Sequence, residues 1–148
     1  LGPSLQVEAR VGRQMVDTPG LVADLAQHGR LGDVVVLHLG ANGPFPDETL
    51  DEIVDIAGRR KVLLLNVKVP RRWEGEVNDR LVSAARRHRG VTVVDWRTLA
   101  DNEPGLLTRD GYHLTPVGQQ RYTDLVAGAV TEALKPTRST GRLGRVTM

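Results

Sequence analysis

Val34-Val-Val-Leu-His-Leu39 and Val62-Leu-Leu-Leu-Asn-Val67 are nearly continuous apolar runs with no polar face. A strand of that composition is at home only where both faces of its sheet are covered, as in a parallel α/β sheet. Two further β-rich runs, Leu5–Val11 and Val91–Val94, extend the series, and the second of the apolar runs continues to Val69. The four starts lie about 28 residues apart, which is the length of one strand, one helix and two loops. Helices are predicted between and after them at Pro19–Gln27, Asp47–Ala57, Glu76–His88 and Pro116–Leu134, with Gly29, Gly58 and Gly90 as C-terminal caps. Val82 and Ala85 leave the arginines of the third helix on a solvated face. The alternation predicts one α/β domain over residues 1–134, a three-layer α/β/α sandwich around a parallel sheet. Lys135–Met148 is polar and aperiodic and is expected to be a flexible tail.

Several function classes fall away on composition. At 148 residues the chain builds one core, not two. Arginine and lysine are interspersed with acids for a net charge of +2, with no basic stripe, so a nucleic-acid partner is not expected. The absence of cysteine excludes a disulfide framework, a thiolate zinc site and a cysteine nucleophile. Four histidines without paired spacing argue against a metal site, and no organic cofactor is implied. No apolar run reaches membrane-spanning length, and no signal peptide is expected within these residues. The chain starts Leu1-Gly2-Pro3 without methionine, so an N-terminal cut is expected.

In open parallel sheets ligands bind beyond the C-terminal ends of the strands. The loops to read are therefore Gly12–Thr18, Gly40–Pro46, Pro70–Gly75 and Trp96–His113. The last ends in Asp110-Gly-Tyr-His113-Leu-Thr115-Pro116, where Thr115 suits an N-cap and Pro116 the first helical turn. A carboxylate three residues ahead of an imidazole can fix its tautomer, which is the orienter-and-base half of a nucleophilic triad. Local hydrogen bonding without chemistry is the competing reading. Asn42, flanked by glycines, can aim an amide donor at a developing oxyanion, worth about 3–4 kcal/mol where such donors have been removed. It also fits a plain turn that tolerates positive φ. Gly12 offers a second N–H or a simple turn. Trp73 beside Arg71 and Arg72 suits a pocket wall for a carbohydrate or an anion, or a cover for the sheet edge. His28 and His88 fall at helix ends, and a structural hydrogen bond suits His38.

His38-Leu-Gly-Ala-Asn-Gly-Pro44, Asn66-Val-Lys-Val-Pro-Arg-Arg-Trp-Glu74 and Asp110-Gly-Tyr-His-Leu-Thr-Pro116 occur in that order. Together with Gly12 they resemble the later blocks of SGNH (GDSL-type) hydrolases. The resemblance is closer to the SGNH domains appended to acyltransferase-three membrane O-acyltransferases, and it covers roughly residues 5–134. It implies His113 as general base, Asp110 as its orienter, and Asn42 and Gly12 as oxyanion donors; Trp73 and Arg72, read from the loop itself, are the expected substrate-pocket residues. The implied activity is serine-dependent acyl transfer or ester hydrolysis. O-acetyl transfer from a small acyl ester to a cell-wall or surface glycan is the leading form; a stand-alone esterase and a noncatalytic glycan-binding remnant are the alternatives. The parent protein would carry an N-terminal membrane domain and hold this portion outside the cytoplasm, or else be secreted.

One block of the resemblance has no counterpart. The family's Gly-Asp-Ser nucleophile leaves the first strand, which lies inside the sheet between the second and third. Leu5–Val11 matches the second strand, and the chain's serines are Ser4, Ser83 and Ser139, none in an exit loop. The expectation is an upstream truncation that removes nucleophile and first strand together and leaves these residues inactive on their own.

Overall fold

The computed structural model describes residues 5–136. Strands β1 (Val34–Leu37), β2 (Lys61–Leu65) and β3 (Val91–Val94) form a parallel sheet in that order. Val35 pairs with Val62, and Leu63 with Thr92. Helices α1 (Thr18–Gln27), α2 (Asp47–Ala57), α3 (Glu74–Arg87), α4 (Trp96–Asn102) and α5 (Pro116–Ala133) surround it, and a 3₁₀ turn (Met15–Asp17) leads into α1.

Alternate residues of each strand enter different cores. Val35, Leu37, Val62, Leu64 and Val91 meet Leu50 and Ile53 of α2 and Val77, Leu81 and Ala84 of α3. Leu63, Leu65 and Val94 meet Trp96 and Leu106, with Tyr122, Leu125 and Val126 of α5 packed against them. Two covered faces are the reason these strands carry no polar side. Each fully buried Leu or Ile here contributes about 1.5–3 kcal/mol relative to exposure. The expected α/β/α sandwich is the fold found.

Three expectations are corrected. Leu5–Val11 is not a strand: Leu5 is 87% exposed, Val7 69% and Val11 100%. The carbonyl of Asp33 accepts from the Lys61 N–H, so the alternate backbone groups of Val34 and Val36 face the opposite edge of β1. Among the described residues no strand pairs along that edge. The Leu5–Val11 run does not dock on that edge: Gln6, Glu8 and Arg10 alternate along it, so it lacks the two apolar faces of a strand covered on both sides.

The second apolar run leaves the sheet at Leu65 instead of reaching Val69. Val67 and Val69 remain buried, but side chains take over their ladder bonds. The Asn78 amide donates to the Val67 carbonyl (2.9 Å) and accepts from its N–H (2.8 Å), and Glu74 accepts from the Val69 N–H (2.7 Å). The third correction is α4, which lies inside the segment read as a single exit loop; Asp95 caps it by accepting from the Thr98 N–H at 3.0 Å.

The caps agree with expectation at Gly58, which ends α2 at φ 64°, and at Thr115 and Pro116, which open α5. Ser4, Ser139 and nearly all of the expected tail lie outside the described residues.

Candidate active site

Residues 106–115 form a tight loop between α4 and α5. Leu107 and Leu114 make an antiparallel bridge, the Thr108 N–H bonds the His113 carbonyl (2.8 Å), and the Gly111 N–H bonds the Thr108 carbonyl (3.0 Å). Gly111 adopts φ 74°, and a Cβ there would lie 3.1 Å from Pro70 Cδ. Only glycine meets both demands without strain. The loop thus closes directly on the segment leaving β2.

Its turn organises one carboxylate. Asp110 Oδ1 accepts from the Thr108 hydroxyl (2.6 Å) and from the N–H groups of Tyr112 (2.8 Å) and His113 (3.1 Å). Asp110 Oδ2 lies 2.6 Å from His113 Nδ1. The Thr108 hydroxyl, then His113, then the two N–H groups hold the Asp110 carboxyl well below the usual carboxylate range. An ionised carboxylate at that distance selects the tautomer with hydrogen on Nδ1 and leaves Nε2 bare. The His113 side chain is 82% exposed, so Nε2 is open to a reacting group.

Two neighbouring contacts fix where α5 starts. Thr115 Oγ1 accepts from the Gly118 N–H (3.1 Å) and donates to the Gly105 carbonyl (2.6 Å). A Cβ on Gly118 would sit 1.9 Å from the Leu106 carbonyl oxygen, so no other residue fits there.

The loop after β1 turns at Gly40, whose φ of 112° and whose neighbour Val77 Cγ1, 2.5 Å from a Cβ position, both demand glycine. Asn42 is exposed on this turn, and its Nδ2 donates to the Arg13 carbonyl at 3.1 Å. The Gln14 amide in turn donates to the Asn42 carbonyl (3.3 Å). The Asn42 amide carries a second N–H beyond the one given to Arg13. Gly12 precedes Arg13, is exposed, and has φ 72° with open space at its Cβ position. The expected oxyanion residues are therefore linked through Arg13 and Gln14.

Trp73 is partly buried against the core, and its indole N–H is buried without a partner. Arg71 lies 5.9 Å over its ring and 5.4 Å over the Tyr112 ring, and Arg71 Nε donates to the Tyr112 hydroxyl. Arg72 is exposed. Of the two arginines, Arg71 is the one engaged with the His113 loop, a contact that sequence reading did not anticipate. Thr108 was also overlooked, although a hydroxyl residue two positions before Asp110 is a recognisable turn signal.

His38 stacks on Tyr122 with ring centroids 5.4 Å apart, and its Nδ1 lies 2.9 Å from the Tyr122 hydroxyl. The residue is exposed overall, and desolvation by the atoms packed around it lowers its pKa to about 4. The contact ties the end of β1 to α5. Ser83 lies within α3, where its Oγ accepts from Arg87 (2.6 Å). Among the described residues no group of three or more acidic, histidine or cysteine side chains is arranged to hold a metal ion. The described helices include none long and apolar enough to cross a membrane.

No family model matches the sequence. The O-acetyltransferase OatA of Staphylococcus aureus (strain NCTC 8325 / PS 47) is 35% identical over 125 residues, covering 84% of this chain and 21% of the relative. The chain thus spans about a fifth of the length of that curated relative. Among solved structures, the C-terminal catalytic domain of Streptococcus pneumoniae peptidoglycan O-acetyltransferase A, determined with a methylsulfonyl adduct, superposes with TM-score 0.76 at 20% identity. That match covers 88% of this chain and 82% of the solved one. A peptidoglycan O-acetylesterase superposes with TM-score 0.63 at 18% identity, covering 82% of this chain and 44% of the other. These likenesses place the fold among SGNH-type domains.

Proposed function

We propose, from the homology of this chain to OatA-type O-acetyltransferases over about a fifth of their length, that it carries the base, orienter and oxyanion donors of a serine acyltransferase. The observation that carries the reading is the Asp110–His113 pair. Four donors hold the carboxylate, and the imidazole it orients presents a bare Nε2 to solvent.

The nucleophile in this reading is a serine at the C-terminal end of a strand paired along the open edge of β1. Among the described residues no strand partners the outward backbone groups of Val34 and Val36, and Val36 is partly exposed; both features support such a strand, because each gains a partner when it docks. The serine oxygen attacks the acyl carbonyl while Nε2 of His113 takes its proton. The Gly12 N–H and the Asn42 amide stabilise the oxyanion. Collapse returns the proton to the departing alcohol and leaves an acyl-serine. An acceptor hydroxyl then gives its proton to His113 and attacks the ester carbonyl, and His113 returns that proton to the serine oxygen as it departs. A glycan hydroxyl as acceptor gives O-acetyl transfer, and water gives hydrolysis. Trp73 and Arg72 border the substrate side. An acceptor in the cell wall places the domain outside the cytoplasm, tethered through another part of the protein.

The test is turnover of an activated acetyl ester by the intact protein, with and without an oligosaccharide acceptor. His113→Ala is expected to lower kcat by about 10⁴-fold or more. Asn42→Ala is expected to lower it by about 10²–10³-fold. A His113→Ala protein within tenfold of the parent rules out the assignment.

A further inference from the structure

Tyr112 stands between the two residues of the pair, and its backbone N–H is one of the donors to Asp110. Any displacement of Tyr112 therefore tilts the carboxylate and swings His113. Outside that loop, the Tyr112 side chain packs against the core that includes Val67 and Val69, and among the described residues its hydroxyl is bonded by Arg71. Arg71 lies over its ring at 5.4 Å and hydrogen-bonds its hydroxyl through Nε. The guanidinium also lies 5.9 Å over the Trp73 ring.

The anchor beneath Arg71 is itself fixed. The Arg71 N–H bonds the Val69 carbonyl (2.8 Å), the Glu74 N–H bonds the Arg71 carbonyl (3.1 Å), and Glu74 accepts from the Val69 N–H (2.7 Å). Pro70 meets the same loop at Gly111. A planar guanidinium that stacks and donates in one orientation suits this position, and a lysine ammonium reproduces neither property.

We infer that Arg71 is a positioning residue for His113, acting through Tyr112 by clamping the Asp110–His113 loop to the segment that leaves β2. The inference rests on the acyl-transfer reading only in taking His113 as the base.

The test joins kinetics of the intact protein on an activated acetyl ester with ¹⁵N NMR of its histidine rings. Arg71→Ala is expected to lower kcat by about 10- to 100-fold, the scale of a misplacement near 1 Å, with KM within about twofold. Arg71→Lys should not rescue it. Tyr112→Phe removes only the hydroxyl and should lower kcat less, while shifting the same resonance. The Nδ1–H signal of His113 should shift or broaden in all three variants, with those of His28, His38 and His88 unchanged. A His113 signal and kcat that match the parent in Arg71→Ala and Tyr112→Phe overturn the inference. So does a loss confined to KM that Arg71→Lys restores, because Arg71 would then hold substrate charge. If Arg71→Ala fails to fold, Tyr112→Phe decides by the same two readouts. An intact protein without turnover whose His113 signal still shifts sinks the catalytic reading and leaves the clamp standing. Turnover with an unmoved signal does the reverse.

Discussion

Asn78→Ala is expected to loosen the segment after β2 at a cost out of proportion to its size. The Asn78 side chain is a two-pronged substitute for a neighbouring strand, accepting from the Val67 N–H at 2.8 Å and donating to its carbonyl at 2.9 Å. Asn78 is 7% exposed and Val67 fully buried, so truncation leaves one donor and one acceptor without partners away from water. Each buried unsatisfied group costs about 1–3 kcal/mol, which sets about 2–6 kcal/mol for the pair. The vacated space is polar, and a water that enters it recovers part of that loss, so about 2–4 kcal/mol is expected. Domains of this size hold only about 5–15 kcal/mol in total. The assay is urea unfolding of parent and variant, with amide exchange of Val67 and Val69 followed in parallel. A lowered midpoint at unchanged slope, with faster exchange at both amides, is the expected result. A loss below about 1 kcal/mol, or full protection at Val67, would refute the claim that Asn78 replaces the strand ladder.

Gly118→Ala places a methyl 1.9 Å from the Leu106 carbonyl oxygen and displaces the start of α5. Overpacking and the weakened Thr115 cap together should remove about 2–4 kcal/mol, and an unchanged thermal midpoint counts against the packing described. Asp110 is held below its ordinary range when folded, so its contribution is fully present above about pH 4 and is lost as the pH falls toward the folded value. Urea midpoints of the parent should therefore fall on acidification through that window, and Asp110→Asn should fall less; equal slopes argue against the donor cluster around Asp110. Asp51, held low by Arg87 and then His88, falls in the same direction, and Asp51→Asn separates its share.

The sheet was legible because three apolar runs recur between amphipathic helices, a signal each segment carries by itself. Leu5–Val11 alternates apolar and polar residues as a half-covered strand does, yet pairing is not a local property, and among the described residues the run pairs with no strand. Val67 and Val69 look like strand because they are buried, and only Asn78 and Glu74, five and more positions on, turn that burial into a loop. α4 is seven residues long, too short for helical periodicity to stand out from a loop. In the site, the three-residue spacing of Asp110 and His113 was readable. The Arg71–Tyr112 contact joins positions 41 apart in the chain, and nothing in either segment announces the other.

Mass spectrometry of the intact protein, incubated with an activated acetyl ester and quenched in acid, tests the central claim most directly. The account expects an acetyl group on one serine of a strand docked against β1. It should accumulate in the parent when the acceptor is withheld and be nearly absent in His113→Ala. An acetyl group on Ser83, or a serine adduct that forms as fast without His113, would contradict it.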